Sequence, residues 1–206
     1  MEAMSSEGAR LVEELRPYVA DERVLAAVAA VPRELFVPGL HRDRAYENCA
    51  LGIGCGQTIS QPLVVARMCE LLRLRPTDRV LDVGTGSGYH AAVLARLAGE
   101  VISVERYARL SRRAARALAA AGVRNVTLHV GDGVRPVPDE RPYDAINVAA
   151  AMGEEHLAPF EDRLAPGGRL VAPVIDGEQR LVRSERRADG FERRAFEPVR
   201  FVPLIS

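Results

Sequence analysis

Apolar and polar positions follow a helical period at the start of the chain and a strand-and-helix alternation later. Leu11, Val12, Leu15 and Val19 share one face of a helix predicted over 9–20. Asp21 reads as the N-cap of a second helix carrying Val24, Leu25, Ala26, Ala27 and Val28. Pro32 and Pro38 bracket a short turn through Glu34, Leu35 and Phe36. Residues 40–60 then show no sustained period and hold Gly52, Gly54 and Gly56. A long segment of that kind in a compact protein is more often functional than decorative. A helix returns over 62–74, with Pro62 acceptable in its first turn. Ser60 is its N-cap or lies one residue before it, so a capping role and a catalytic role compete there on equal terms.

From residue 80 the alternation is regular. Apolar, β-favouring runs at 80–83, 100–104, 126–130, 143–148 and 169–173 are separated by helical stretches at 91–97, 110–121 and 154–164. Short connections between such units predict an α/β fold: a doubly wound, Rossmann-like, mostly parallel sheet with ligands at the strand C-terminal ends. The runs 179–187 and 191–201, joined around Asp189-Gly190, predict a C-terminal antiparallel hairpin. The expectation is one domain over 1–206. It divides into an N-terminal helical and substrate-loop segment (1–76), a cofactor-binding core (77–175) and the hairpin (176–206).

Candidate chemistry concentrates in Val80-Leu81-Asp82-Val83-Gly84-Thr85-Gly86-Ser87-Gly88-Tyr89-His90, a strand, tight turn and helix start. Alternate glycines let the backbone turn sharply and let a ligand approach the main chain. The next strand closes on Glu105, about 20 residues beyond the loop, where an acid binds ribose hydroxyls. A dinucleotide site prefers G-x-G-x-x-G, whereas the spacing here is G-x-G-x-G with Asp82 just before the turn. A carboxylate there repels a pyrophosphate and suits S-adenosylmethionine, which carries a sulfonium, an ammonium and no phosphate. Asp82, Glu105 and Asp132 all end strands, and one bound ligand explains three acids in equivalent places better than three separate turns.

Composition narrows the classes. The 206 residues suit one well-cored α/β domain, and 48% hydrophobic with 27% charged residues is ordinary for a globular protein. With 28 basic and 28 acidic residues, no global field draws in nucleic acid. No apolar stretch approaches membrane-spanning length, and the acidic start, 1–7, lacks a signal-peptide core. Cys49, Cys55 and Cys69 form no C-x-x-C pair, and four scattered histidines supply no zinc ligand set, so no metal is expected. Reduced thiols in the cytoplasm are the expectation. Cys55 lies near a ligand or is a small buried residue.

With these residues in view, the chain resembles the protein-L-isoaspartate O-methyltransferase family over nearly its whole length. The most specific part is Gly56-Gln57-Thr58-Ile59-Ser60-Gln61-Pro62; Val31-Pro32-Arg33-Glu34-Leu35-Phe36, Gly131-Asp132-Gly133 and Gly167-Gly168-Arg169-Leu170-Val171 also look like this family. The resemblance implies methylation, by S-adenosylmethionine, of the free α-carboxylate that isoaspartyl residues expose in aged proteins and peptides. It implies Ser60 as the active-site serine, with Thr58, Ile59 and Gln61 beside the cofactor's methionine end. Asp82, Gly84, Thr85, Gly86 and Ser87 would line the methionine and ribose side, Glu105 would hold the ribose, and Asp132-Gly133 would meet the adenine. A monomer acting on isoaspartyl proteins, without nucleic acid or membrane, is the implied setting.

A carboxylate is already an anion at pH 7, so the transfer needs alignment rather than a strong base. Gly52, Asn48, Cys55, Arg135-Pro136, Ala149 and Met152-Gly153 depart from the family's usual choices and bear on substrate range. A related carboxyl methyltransferase with a dedicated peptide or small-molecule substrate is the alternative. A non-catalytic binding module and an NAD-linked oxidoreductase are further competitors.

Overall fold

The computed structural model describes residues 6–135 and 141–205. The opening five residues and Pro136, half of the Arg135-Pro136 departure, lie outside them. Two helices, α1 (Ser6–Leu15) and α2 (Glu22–Ala30), lead the chain. A two-stranded unit, β1 (Leu51–Gly54) and β2 (Gln57–Ile59), precedes α3 (Pro62–Leu72). The alternating part comprises β3 (Arg79–Val83), α4 (Tyr89–Leu97), β4 (Glu100–Glu105), α5 (Ala108–Ala120), β5 (Val126–Val130) and β6 (Tyr143–Val148). The short β7 (Met152–Gly153) and α6 (Ala158–Glu161) lead to three long strands, β8 (Leu164–Asp176), β9 (Glu178–Arg187) and β10 (Gly190–Pro198).

The large sheet has the order β10-β9-β8-β6-β3-β4-β5, with β7 paired to β8. Strands β3, β4, β5, β6 and β8 run parallel, and β8, β9 and β10 are antiparallel. The strand order reverses beside β3, which is where such sheets open a crevice beyond the strand ends. All five residues of β3 are buried, because apolar layers cover both faces. Val80, Val101 and Ala145 join the layer of α1–α5, while Leu81, Val83, Ile102 and Ile146 join the layer around Phe160. Among the described residues no helix is long and apolar enough to cross a membrane.

Three predicted elements differ. The first helix spans Ser6–Leu15 rather than 9–20, since Pro17 cannot continue a helical ladder. The helix predicted over 154–164 is only a 3-10 turn, Glu154–His156, and the four residues of α6, because Leu164 is already in β8. Residues 40–60 are not one loop: a 3-10 helix spans Gly39–Arg44, and β1 and β2 form a tight hairpin. Gly54 pairs with Gln57 around Cys55 (φ 56°) and Gly56 (φ 69°), so both central residues are left-handed as in a type I′ turn. Cysteine is an uncommon first residue there, and strands this short show no alternation to read.

Asp21 does cap α2, accepting from the Arg23 N–H. The C-terminal hairpin also forms, but its second strand ends at Pro198. Beyond it the chain runs across the strand ends, with the Ala151 N–H donating to Val202 O and Leu204 N–H to Ala151 O.

Candidate functional site

A cleft of about 610 Å³ opens over the C-terminal ends of β3, β4 and β6. Thr58, Ile59, Ser60 and Gln61 line one side, and Gly84, Thr85, Gly86 and Ser87 line its floor. Glu105, Tyr107, Gly131, Gly133 and the segment from Pro198 to Ile205 complete it. Of the catalytic and cofactor-binding residues that the resemblance implies, two stand away from the lining: Asp82 and Asp132.

Asp82 is fully buried. The register sets Ser103 of β4 and Asn147 of β6 directly beside it on the flanking strands, so the three side chains share one face. Ser103 Oγ donates to Asp82 Oδ2 at 2.7 Å, and Asn147 Nδ2 donates to Oδ1 at 2.8 Å. Thr85 Oγ1 lies 2.5 Å from Ser103 Oγ. The Ser103 proton is engaged with Asp82, so Thr85 donates to Ser103, and Asp82 tethers the glycine turn from below. Burial raises the Asp82 pKa, against the lowering effect of its two donors. The acid thus lies beneath the loop, bonded through Ser103 to the turn, and is not part of the cleft lining.

His90 extends the same row: its Nδ1 is 3.2 Å from Asn147 Nδ2, and its Nε2 is 3.6 Å from Cys69 Sγ. Asn147 donates to Nδ1, which assigns the proton to Nε2. Burial lowers the His90 pKa to about 3, so the ring is neutral, and burial likewise raises that of the Cys69 thiol.

Asp132 bends back on its own turn, where Oδ1 accepts from the Val134 N–H at 3.0 Å. Its neighbours Gly131 and Gly133 reach the cleft instead. A Cβ on Gly133 would stand 2.3 Å from Val83 Cγ1, so glycine is required where this turn meets the tip of β3. Of the three strand-end carboxylates, Glu105 lines the cleft, Asp82 lies beneath the turn, and Asp132 stands between two lining glycines with Oδ1 held in its own turn. Strand-end acids look alike in sequence, but the pleat sends Asp82 beneath the sheet's end and local turn chemistry occupies Asp132.

Glu105 is the acid that arrives. Its Oε2 accepts from the Gly86 N–H at 2.8 Å and its Oε1 from the Tyr107 N–H at 2.9 Å. Each oxygen keeps a lone pair for a further donor. The carboxylate occupies a loop N–H that a pyrophosphate would need, so its charge opposes a dinucleotide. A nucleoside with ribose hydroxyls and a cationic end fits the donor and acceptor set. Among the described residues no group of three or more His, Cys, Asp or Glu side chains could hold a metal ion.

Ser60 precedes Gln61, the N-cap residue of α3, and Gln61 makes no side-chain cap bond. The Leu63 N–H is satisfied by Asn48 Oδ1 at 3.0 Å. Asn48 thus supplies the cap, and the Ser60 hydroxyl has no hydrogen-bond partner among the described residues. Cys55 answers neither expectation: it is exposed at the hairpin tip, away from the cleft lining.

Sequence reasoning missed the arginines that hold the cover. Arg33 donates to Ser60 O at 2.7 Å, Arg113 to Ile53 O at 2.8 Å, and Arg106 to Ile205 O at 3.0 Å. Arg33 lies in a stretch that resembles the family, but nothing in the sequence marks what any of the three bonds to, because a main-chain carbonyl has no residue identity.

The profile of the protein-L-isoaspartate(D-aspartate) O-methyltransferase family matches residues 6–206. A curated protein-L-isoaspartate O-methyltransferase of Rhodopseudomonas palustris (strain BisB5) is 49% identical over 190 residues, covering 91% of this chain and 87% of that one. One from Methanoculleus marisnigri is 52% identical over 189 residues, covering 91% and 86%. A solved protein-L-isoaspartate O-methyltransferase superposes with a TM-score of 0.85 at 28% identity, over 97% of this chain and 66% of that longer one. A Plasmodium falciparum structure, described as such an enzyme bound to S-adenosyl-L-homocysteine, gives 0.83 at 24% identity over 98% and 99%. At that identity the last likeness is one of fold.

Proposed function

Because the chain belongs to the protein-L-isoaspartate(D-aspartate) O-methyltransferase family, we propose that its cleft methylates the free α-carboxylate of isoaspartyl residues in aged proteins and peptides. The observation that carries the reading is the Ser60 hydroxyl, free of any partner among the described residues and lining the same cleft as the glycine turn and Glu105. S-adenosylmethionine, when bound, supplies an electrophilic methyl group on a sulfonium.

The residues of the chain do the rest. Glu105 accepts from the ribose hydroxyls while holding the Gly86 N–H, so ligand and loop share one anchor. Gly131 and Gly133 leave room beside β3 for the adenine. Thr58, Ile59 and Gln61 flank the methionine end, and the buried Asp82 carboxylate supports the turn from below.

Ser60 donates a hydrogen bond to one carboxylate oxygen, which orients the other for in-line attack. No base is needed, because the acceptor is an anion at neutral pH. The neutral His90 in the lining brings no competing proton donor of low pKa. The segment from Pro198 to Ile205 and the β1–β2 hairpin shield the reacting atoms from water. We take the protein to act in the cytoplasm as a one-domain monomer, on polypeptide rather than on nucleic acid or membrane.

The altered loop at 48–55 raised a dedicated substrate as the alternative. Its Gly52 and Cys55 are exposed, and Asn48, Gly52 and Cys55 all stand outside the cleft lining, which favours the general reading. Among the described residues Ala149 is the departure that lines the cleft. A peptide with one isoaspartyl bond, assayed beside its normal aspartyl twin, tests it. Transfer to the first alone is expected, with a drop of about tenfold or more in Ser60→Ala at unchanged cofactor affinity. Cofactor binding without transfer to the isoaspartyl peptide would instead support the alternative.

A further inference from the structure

Arg33 is a fully buried cation that methyl transfer, as described, leaves without a role. It opens a 3-10 turn, Arg33–Leu35, just after α2. Its Nε donates to Ala45 O at 2.8 Å and its Nη2 to Ser60 O at 2.7 Å, with Cys49 O 3.5 Å from the same nitrogen. The guanidinium carbon lies 4.5 Å from the centroid of the Tyr89 ring. Among the described residues no carboxylate pairs with it, and Nη1 has no hydrogen-bond partner.

A buried charge without a counter-ion is an expensive way to cross-link a core, and an apolar side chain of similar volume often serves stability as well or better. What the guanidinium offers instead is direction. Its planar fork presents donors at fixed angles, and its face stacks on an aromatic ring. The carbonyls it fixes belong to the segment that ends in Ser60, and the ring belongs to the first residue of α4, directly behind the glycine turn. One rigid group thus sets the hydroxyl side of the cleft against the cofactor side.

We propose that Arg33 is a positioning residue for methyl transfer, holding Ser60 and the start of α4 in one frame so that acceptor oxygen and methyl carbon meet in line. The proposal rests on the methyltransferase reading above. Arg33 itself touches neither reactant. Alignment losses fall on turnover, because both ligands still bind when their relative placement is off by a fraction of a bond length.

The test compares wild type, Arg33→Met and Arg33→Lys. It measures cofactor Kd by calorimetry, kcat and KM on an isoaspartyl peptide, and amide hydrogen exchange of residues 58–63. Arg33→Met is expected to lower kcat about 100-fold while Kd and KM stay within about threefold. Arg33→Lys, which can still reach one carbonyl, is expected to recover part of this, to about tenfold below wild type. Residues 58–63 should exchange faster in Arg33→Met while α4 and α5 stay protected.

A folded Arg33→Met with kcat within about threefold of wild type overturns the proposal, as does a kcat loss matched by an equal loss of cofactor affinity. If Arg33→Met does not fold, Arg33→Lys decides by the same thresholds. If wild type binds cofactor but does not methylate the peptide, the functional reading fails separately. Exchange at 58–63 then decides for Arg33: acceleration supports it and an unchanged rate overturns it.

Discussion

On the floor of the cleft, side chains bond to side chains at matched positions of neighbouring strands, whereas the segments covering it hang from arginines bonded to main-chain carbonyls. Asp82, Ser103 and Asn147 face one another because parallel register puts them level, and Thr85 and His90 join the row from the turn and helix above. Arg33, Arg113 and Arg106 instead reach across the fold to Ser60, Ile53 and Ile205. A floor built by register changes little without breaking the sheet. A cover held by its carbonyls keeps its position when its side chains change, which accounts for Gly52 and Cys55 in a hairpin that still lies over the loop. Charge-assisted bonds suit that task, since each contributes about 1.5–3 kcal/mol where a neutral one gives about 1.

The comparison breaks most visibly at Gly86. Its φ of 54° disfavours a β-branched residue, and a Cβ there would already stand 3.4 Å from Ile53 Cδ1 of the cover. Gly86→Val must shift the turn and break its bond to Glu105, so cofactor affinity should fall about 100-fold or more, a loss of roughly 3 kcal/mol. Calorimetric binding close to wild type would show that the floor is not the stiff wall.

Glu105→Ala comes next. Besides facing the cleft, this strand-tip acid satisfies two backbone N–H groups. Its loss should cost about 2 kcal/mol of stability, or roughly 4–8 °C in Tm, besides weakening cofactor binding. A melting curve superimposable on wild type would remove Glu105 from the scaffold of the floor.

The His90 effect appears only in acid. Burial places its folded pKa, about 3, below the unfolded value of 6.5, so the unfolded chain takes up the proton first. Stability is intact above the unfolded value and falls as pH drops from there toward 3, by about 1 kcal/mol between pH 7 and 5.5. Denaturant titrations of His90→Gln across that window should lack this loss, and a parallel decline in both proteins would mean that the ring is protonated in the folded state.

Smallest is the cover's own turn. Cys55→Asn puts a residue tolerant of left-handed backbone at φ 56°, and about 0.5 kcal/mol of stabilisation is expected, near 1–2 °C in Tm, with unchanged cofactor affinity. A change in affinity would couple the hairpin tip to the floor and blur the distinction between the two walls.

The sequence by itself determined the β-α alternation, the glycine turn at 84–88, the cap at Asp21 and the closing hairpin. Each is written in residues close along the chain, where period, turn chemistry and capping act locally. It also brought out Ser60 and Glu105, through a motif and a strand end. Tertiary structure alone decided that Asp82 supports the turn from beneath while Glu105 enters the cleft, because the pleat and register choose which way a side chain faces. It decided too that Asn48 caps α3 and so leaves Ser60 its hydroxyl. The cover's placement was hidden for a deeper reason: Arg106 meets a carbonyl 99 residues away. Carbonyls are the same at every residue, so only the folded path of the chain selects which one an arginine finds.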